Sequence, residues 1–312
     1  MKTLKHTTLL LALALMPTFL WAQYLERTIE KSFDVGSSGE LFIRNSFGDV
    51  QLTDYPGNSI EIEVKITVEG KSDRAVNEAF EKMDVKFSVN GDRVVAETKN
   101  DCNCGNKIEK FSIDYEVRVP QSTQVEIRNS FGDVFVEDRY GPTRLDVQHG
   151  DFRVSGWSHE QNEIELAFGD GFAKNINGLN AEIQHSDFIA ENIKALELDV
   201  KFSDVEIERV EKMIGDLRVQ HSDFNLDVAG VEWDAMDLDV DFSDFELSIN
   251  EQARMRMEIK ASFSDVDGAS GMKIQEKETG FNSEEYRITV NDEAAPIIRT
   301  SVQHSDFNIS WR

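Results

Sequence analysis

The sequence predicts an all-β chain: a parallel β-helix, or β-solenoid, of about ten coils of 17–21 residues with an N-terminal α+β cap inserted after the first coil. Three observations lead there. First, a short unit recurs ten times: aromatic or His, then Gly or Ser, then Asp, then Val, Phe or Gly. Its aspartates are Asp49, Asp133, Asp151, Asp170, Asp187, Asp204, Asp223, Asp244, Asp265 and Asp306. Second, from Asp133 onward these are spaced by 18, 19, 17, 17, 19, 21, 21 and 41 residues, a period that belongs to repeat architectures. Third, each flank alternates apolar and polar residues with period two, as half-buried strands do, but the phase slips at the Asp. Leu198, Val200 and Phe202 precede Asp204 on one parity, and Val205 and Ile207 follow it on the other. Strand, corner, strand and a short return describe one coil that pairs with the next, whereas sandwich and propeller units are longer hairpins. A small residue followed by Asp suits the corner, since Gly tolerates unusual backbone angles and the carboxylate can accept from nearby N–H groups. At about 4.8 Å per coil the rod is about 45 Å long.

The chain divides into residues 1–22, 23–122 and 123–312. Residues 1–22 carry Lys2 and Lys5, an apolar run from Leu9 to Leu15, Pro17 and then Ala22. The run is far short of the roughly 20 residues of a membrane helix, so the segment reads as a secretory signal peptide cleaved after Ala22. Residues 23–122 hold the first coil and the cap. Ile60–Val68 alternates as a strand, and Ser72 with Ala75, Val76, Ala79, Phe80 and Met83 fits a short amphipathic helix. Val85–Val89 and Arg93–Thr98 flank Asn90-Gly91, a hairpin signal, and Phe111–Val119 is a strand ending at Pro120. Ile43–Val50 and Ile127–Val134 share the run I-R-N-S-F-G-D-V, so coil one is expected to stack on coil two with the cap covering the open end. Residues 123–312 are the repeat array. Its last step, 41 residues, is twice the others and suggests a degenerate coil near Phe281–Glu284.

Parity places the ring two residues before each Asp inside, as a core ladder of Phe131, His149, Phe168, His185, Phe202, His221, Phe242, Phe263 and His304. His at that position is followed by Phe after the Asp, and Phe mostly by Val, which keeps the paired volume even in a close-packed interior. A metal array is disfavoured: His149, His185 and His221 are two coils, about 9.6 Å, apart. Buried neutral imidazoles would make acid below about pH 6 destabilising.

Two acidic columns face outward. One is the corner aspartates; the other, five residues earlier, is Asp146, Glu165, Glu182 and Asp199 on four successive coils. Like charges about 4.8 Å apart repel by about 0.9 kcal/mol even in bulk water, which makes the second column a weak calcium candidate against the plainer reading of a solvated face. No cofactor is otherwise implied. Cys102 and Cys104 share one loop. They can form a strained local disulfide, stay as thiols or pair between molecules, while a metal would need ligands that the loop does not supply. In none of these states can they staple the fold.

Function is bounded mainly by exclusion. With 33 Lys+Arg against 59 Asp+Glu the net charge is −26, and no basic run offsets it, so nucleic acids and anionic membranes are poor partners. No downstream segment is apolar enough to span a bilayer. No nucleophile elbow, zinc-protease helix, phosphate loop or dinucleotide fingerprint is present. A β-helix that cleaves polysaccharides with paired carboxylates is the enzyme alternative, but such sites interrupt the repeat with long loops, and coils 133–265 vary by only a few residues.

The signal segment, the strand-helix-hairpin cap, V-R-V-P at 117–120 and the serial G-D-V corners together resemble the bacterial putative-adhesin domain family of unknown function, over residues 40–310. The resemblance implies an exported, non-enzymatic β-helix at the cell surface or in the periplasm with a protein or glycan partner, and it carries over no catalytic residues. A structural or signalling component of the cell envelope is the alternative.

Overall fold

The computed structural model describes residues 23–36, 39–102, 105–268 and 273–311; the signal segment proposed for 1–22 lies outside them. The described chain is all-β, with 24 strands in one hydrogen-bonded sheet and one short α-helix, Asp73–Phe80. No described helix is long and apolar enough to cross a membrane.

Successive repeats pair in parallel and in register. Before the corner, Ile127, Leu145, Ile164, Ala181, Leu198, Leu217 and Leu238 lie side by side. After it, Val134, Phe152, Gly171, Phe188, Val205, Phe224, Phe245 and Phe307 do the same. These two rows are buried and form the core. Gly171 interrupts the Phe positions because a side chain there would collide with the rings of Phe152 and Phe188, which close over it.

The corner differs from the sequence reading. The residue two before Asp sits in the left-handed region, with φ between +50° and +61° at His149, Phe168, His185, Phe202, His221, Phe242, Phe263 and His304. One left-handed residue turns the chain and resets the alternation, so the phase slip falls before the ring. Lys201 and Phe202 both face outward, and Ser203, which parity had placed outside, is buried. The rings are therefore not a core ladder and do not share volume with the residue after Asp, which lies on the other side of the sheet. A second left-handed corner follows five residues after Asp, at Asp138, Gly156, Asn175, Asn192 and Arg209.

At the N-terminal end Ile43 pairs with Ile127 and Val50 with Val134. On their far side Leu41 pairs in parallel with Val94, and Val50 with Tyr115. Beyond them run the antiparallel pairs 83–90 with 93–100 and 59–70 with 108–120, and Gln23–Asp34 along 59–70. Gly91, at φ +62°, makes the hairpin turn. Ser72 caps the helix by accepting from the Ala75 N–H, and Ala75, Val76 and Ala79 are buried, the helix lying against strand 59–70. Gln23–Asp34 alternates too, and extends the sheet where no strand was predicted.

At the C-terminal end the 41-residue step is not a degenerate coil. Lys273–Thr279 and Ser283–Val290 form an antiparallel hairpin on the edge of Met255–Ser262, and Phe281 is fully exposed at its turn. The final repeat, 297–311, then enters between the repeats of Asp244 and Asp265.

Candidate functional site

A positive-φ corner, at the ring itself from His149 onward and at the following Gly48 or Gly132 for Phe47 and Phe131, sets one ring per repeat outside the sheet, and the repeat spacing stacks them. Phe47, Phe131, His149, Phe168, His185, Phe202, His221, Phe242, His304 and Phe263 form a continuous column with centroids 4.6–5.3 Å apart and planes within 15° of parallel. Nine such steps give a column about 45 Å long. The spacing matches the inter-strand distance, so each ring fills the interval its backbone provides. Five of the six phenylalanines are half in solvent, from 48% exposed at Phe131 to 63% at Phe263, Phe47 is less exposed, and the four histidines are exposed. From Phe131 to Phe263 Phe and His alternate without exception, but only in space: Phe242 and Phe263 follow one another in sequence, and His304 enters between them.

Stacking occupies the ring faces, so the column presents edges. Phe edges are apolar C–H rims, and every second rung adds imidazole nitrogens that can donate or accept. Phe111 closes the N-terminal end, edge-on to Phe47 at 4.9 Å. Among the described residues no ring stacks on the outer face of Phe263.

The corner aspartates run beside the column in register, from Asp170 through Asp187, Asp204, Asp223, Asp244 and Asp306 to Asp265. Two hydrogen-bonding schemes support them. In the Gly-Asp repeats a carboxylate accepts the next repeat's Asp N–H: Asp49 Oδ1 from Asp133, Asp133 Oδ1 from Asp151 and Asp151 Oδ1 from Asp170, at 2.8–3.0 Å. Glycine is required there, because a Cβ at Gly150 or Gly169 would lie 2.0 Å from the preceding glycine's carbonyl oxygen. In the Ser-Asp repeats a buried serine ladder takes over. Ser186, Ser203, Ser222 and Ser243 each donate their N–H to the next serine Oγ, ending with Ser305 to Ser264, at 3.0–3.1 Å. Each hydroxyl turns back to the carbonyl two residues earlier. The sequence showed these serines only as small corner residues; their signal is that Ser replaces Gly in every repeat from 186 onward.

The other acidic column forms as expected: Asp146 lies beside Glu165, Glu165 beside Glu182 and Glu182 beside Asp199. Arg128 precedes it and Arg218 follows it in the same row. Arg144 grips Glu163 and Glu165, and Lys201 pairs with Asp199 at 3.1 Å. Burial, then the neighbouring Asp146, Glu163 and Glu182, hold the Glu165 carboxyl above its ordinary value against the pull of Arg144. Burial, Asp151 and Asp187 do the same to Asp170. The four carboxylates make a row, one per strand, and no three His, Cys, Asp or Glu side chains converge as a metal site among the described residues. Cys102 packs against the core; Cys104, and with it the Cys102–Cys104 pairing, lies outside the described residues.

One buried ion pair was not foreseen. Arg139, fully buried, binds Asp54, donates to the Thr123 carbonyl and reaches Thr143 Oγ1 at 3.0 Å, while Asp54 Oδ2 accepts from the Tyr140 N–H. Burial pushes the Asp54 carboxyl up and the Arg139 guanidinium down despite their attraction. The pair joins the end of strand Val50–Tyr55 to the second corner at Asp138.

No family model matches the chain, and no curated protein matches it. Among solved structures it is similar to a putative adhesin from Bacteroides fragilis, at 9% identity over 92% of this chain and 97% of that one, TM-score 0.41. It is similar to a putative lipid binding protein from Parabacteroides distasonis, at 8% identity over 90% and 96%, TM-score 0.41. It is also similar to a putative cell adhesion protein from Clostridium sporogenes, at 10% identity over 92% and 100%, TM-score 0.22.

Proposed function

We propose that the chain is an exported, non-enzymatic parallel β-solenoid that works as an adhesin-like interaction module at the cell surface or in the periplasm, with the Phe/His column as its contact surface. The supporting observation is the exposure of that column. A left-handed corner is best filled by Gly or Asn, and each ring there adds about 1 kcal/mol of backbone cost. Stacking on two neighbours, at about 0.5–1.5 kcal/mol each, offsets that cost but does not require the ring edges to stay open to solvent, and contiguous exposed apolar surface marks interaction sites. The column suits an extended protein or glycan partner with its own regular spacing, which meets apolar edges, imidazole nitrogens and the corner carboxylates together.

The test is binding of fluorescently labelled protein to whole cells and to a glycan array, with glycan turnover assayed in parallel. Replacing Phe168, Phe202 and Phe242 by Ser should lower binding at least tenfold while circular dichroism stays unchanged. Binding that is indifferent to the triple replacement, or glycan cleavage by the unaltered protein, overturns the reading.

A further inference from the structure

The last repeat in sequence is not the last in space. Ile297–Gln303 lies between Met236–Asp241 and Met255–Ser262, parallel to both, and Asp306–Trp311 lies between Asp244–Ile249 and Asp265–Asp267. The chain reaches this slot only after passing it. It completes Asp265–Asp267, runs through the hairpin whose second strand covers the outer edge of Met255–Ser262, and then turns through 291–296 to the inner edge of that same strand.

The two walls of the slot match each other. Asp244 and Asp265 are 21 residues apart, the step that also separates Asp223 from Asp244, and the Asp223 and Asp244 repeats stack directly. The same register carried forward would set Leu238 beside Ile259, Val240 beside Ala261, Phe242 on Phe263 and Ser243 beside Ser264. At present Thr300, Val302, His304 and Ser305 stand between the members of those pairs. The hydrogen bonds match as well. Ser243 N donates to Ser305 Oγ at 3.0 Å, and Ser305 N to Ser264 Oγ at 3.1 Å, so withdrawing the middle member leaves a serine N–H facing a serine hydroxyl. Closing the walls joins residues 21 apart, whereas insertion joins Leu238 to Thr300, 62 apart. Loop closure therefore favours direct contact first.

We propose that residues 297–311 are a latch. The chain has two packings, one with the final repeat in the slot and one with the slot closed on itself and the repeat released. The hairpin on the outer edge of Met255–Ser262 moves with that strand and need not unpair.

The test uses the full chain with Cys102 and Cys104 replaced by Ser and a second pair introduced, Asp239→Cys with Lys260→Cys. Both positions flank Ser301 in the latched packing, two strand spacings or about 9.6 Å apart, beyond the ~7 Å that a disulfide spans. In the closed packing they are adjacent. Asp239→Cys with Ser301→Cys is the control, adjacent only when latched. In an oxidising glutathione buffer the 239–260 bond should form, and the oxidised protein should lose amide-hydrogen protection across 297–311 alone and regain it on reduction. The proposal is overturned if 239–260 stays reduced while 239–301 oxidises, or if its oxidation costs protection throughout the array. Hydrogen exchange of the unaltered protein is the independent reading. Residues 297–311 should exchange as one unit at least tenfold faster than 236–249, and exchange of both segments together also overturns the latch.

Discussion

Each outward ring from His149 onward occupies a backbone conformation that its own Cβ disfavours, while beside Phe47 and Phe131 the positive φ falls on Gly48 and Gly132. That makes the inner and outer aromatic positions respond differently to the same substitution. Phe188→Ala removes a fully buried ring and should cost about 3–5 kcal/mol, whereas Phe202→Ala removes two stacking contacts worth about 0.5–1.5 kcal/mol each. At position 202, with φ +53°, Gly should be about 1 kcal/mol more stable than Ala, the reverse of the usual order in a strand. Urea denaturation of the three variants checks both statements, and Ala equal to Gly at 202 would contradict the left-handed corner. Ser222→Ala strips the acceptor from the Ser203 N–H and should cost about 1–3 kcal/mol, the penalty for a buried donor left unpaired. Arg139→Met leaves Asp54, whose side chain is 3% exposed, without its counter-charge. About 3–5 kcal/mol should be lost, and Arg139→Met with Asp54→Leu should recover most of it. At this scale the sequence was only half legible. The ten aspartates and the rings two residues before them were found, but period-two counting assumes extended backbone throughout, and one left-handed residue reverses the side on which everything after it falls.

Elements were read best where local chemistry decides them. Asn90-Gly91 fixed the hairpin, the apolar spacing from Ala75 to Ala79 fixed the helix, and the motif period fixed the parallel register. The second corner was missed, although Asp138, Gly156, Asn175 and Asn192 are residue types that tolerate positive φ and the apolar spacing widens to three there, from Ala173 to Ile176, Ala190 to Ile193 and Ile207 to Val210, because the segment after the Asp strand reads equally as a short return. The inserted repeat was missed because strand order depends on which edge is still open when a strand arrives. Acid response also belongs to the elements. The imidazoles stand in solvent, so the burial on which the expected loss of stability below pH 6 rests is absent. The rows of carboxylates act in the opposite direction. Glu165 and Asp170 are held above their ordinary values of 4.5 and 3.8, so their contribution to stability is fully present below those values and is lost as pH rises through the raised ones. Glu26 and Glu78 are held low by hydrogen bonds from Tyr24 and Arg74, and their contribution is lost as pH falls. Thermal melts should therefore show a higher midpoint at pH 5 than at pH 7.5, with decline beginning below about pH 4; a midpoint that falls from pH 7.5 to 5 would contradict the acidic-row account.

Over the whole molecule, composition and architecture constrain each other. A charge of −26 is tolerable because the repeat spreads carboxylates into rows that basic residues bound and pair with, Arg128 and Arg218 at the ends of the Asp146–Asp199 row and Arg144 and Lys201 beside it. The alternating column sets a rule for length. Because Phe and His take turns along it, adding or deleting a single repeat would bring two like rings together, whereas adding or deleting two would leave every contact type as it was. The smallest segment by which this molecule can grow or shrink and keep the same surface is thus a pair of repeats, such as 186–221, which carries Phe202 and His221. Length in such a chain is counted in twos.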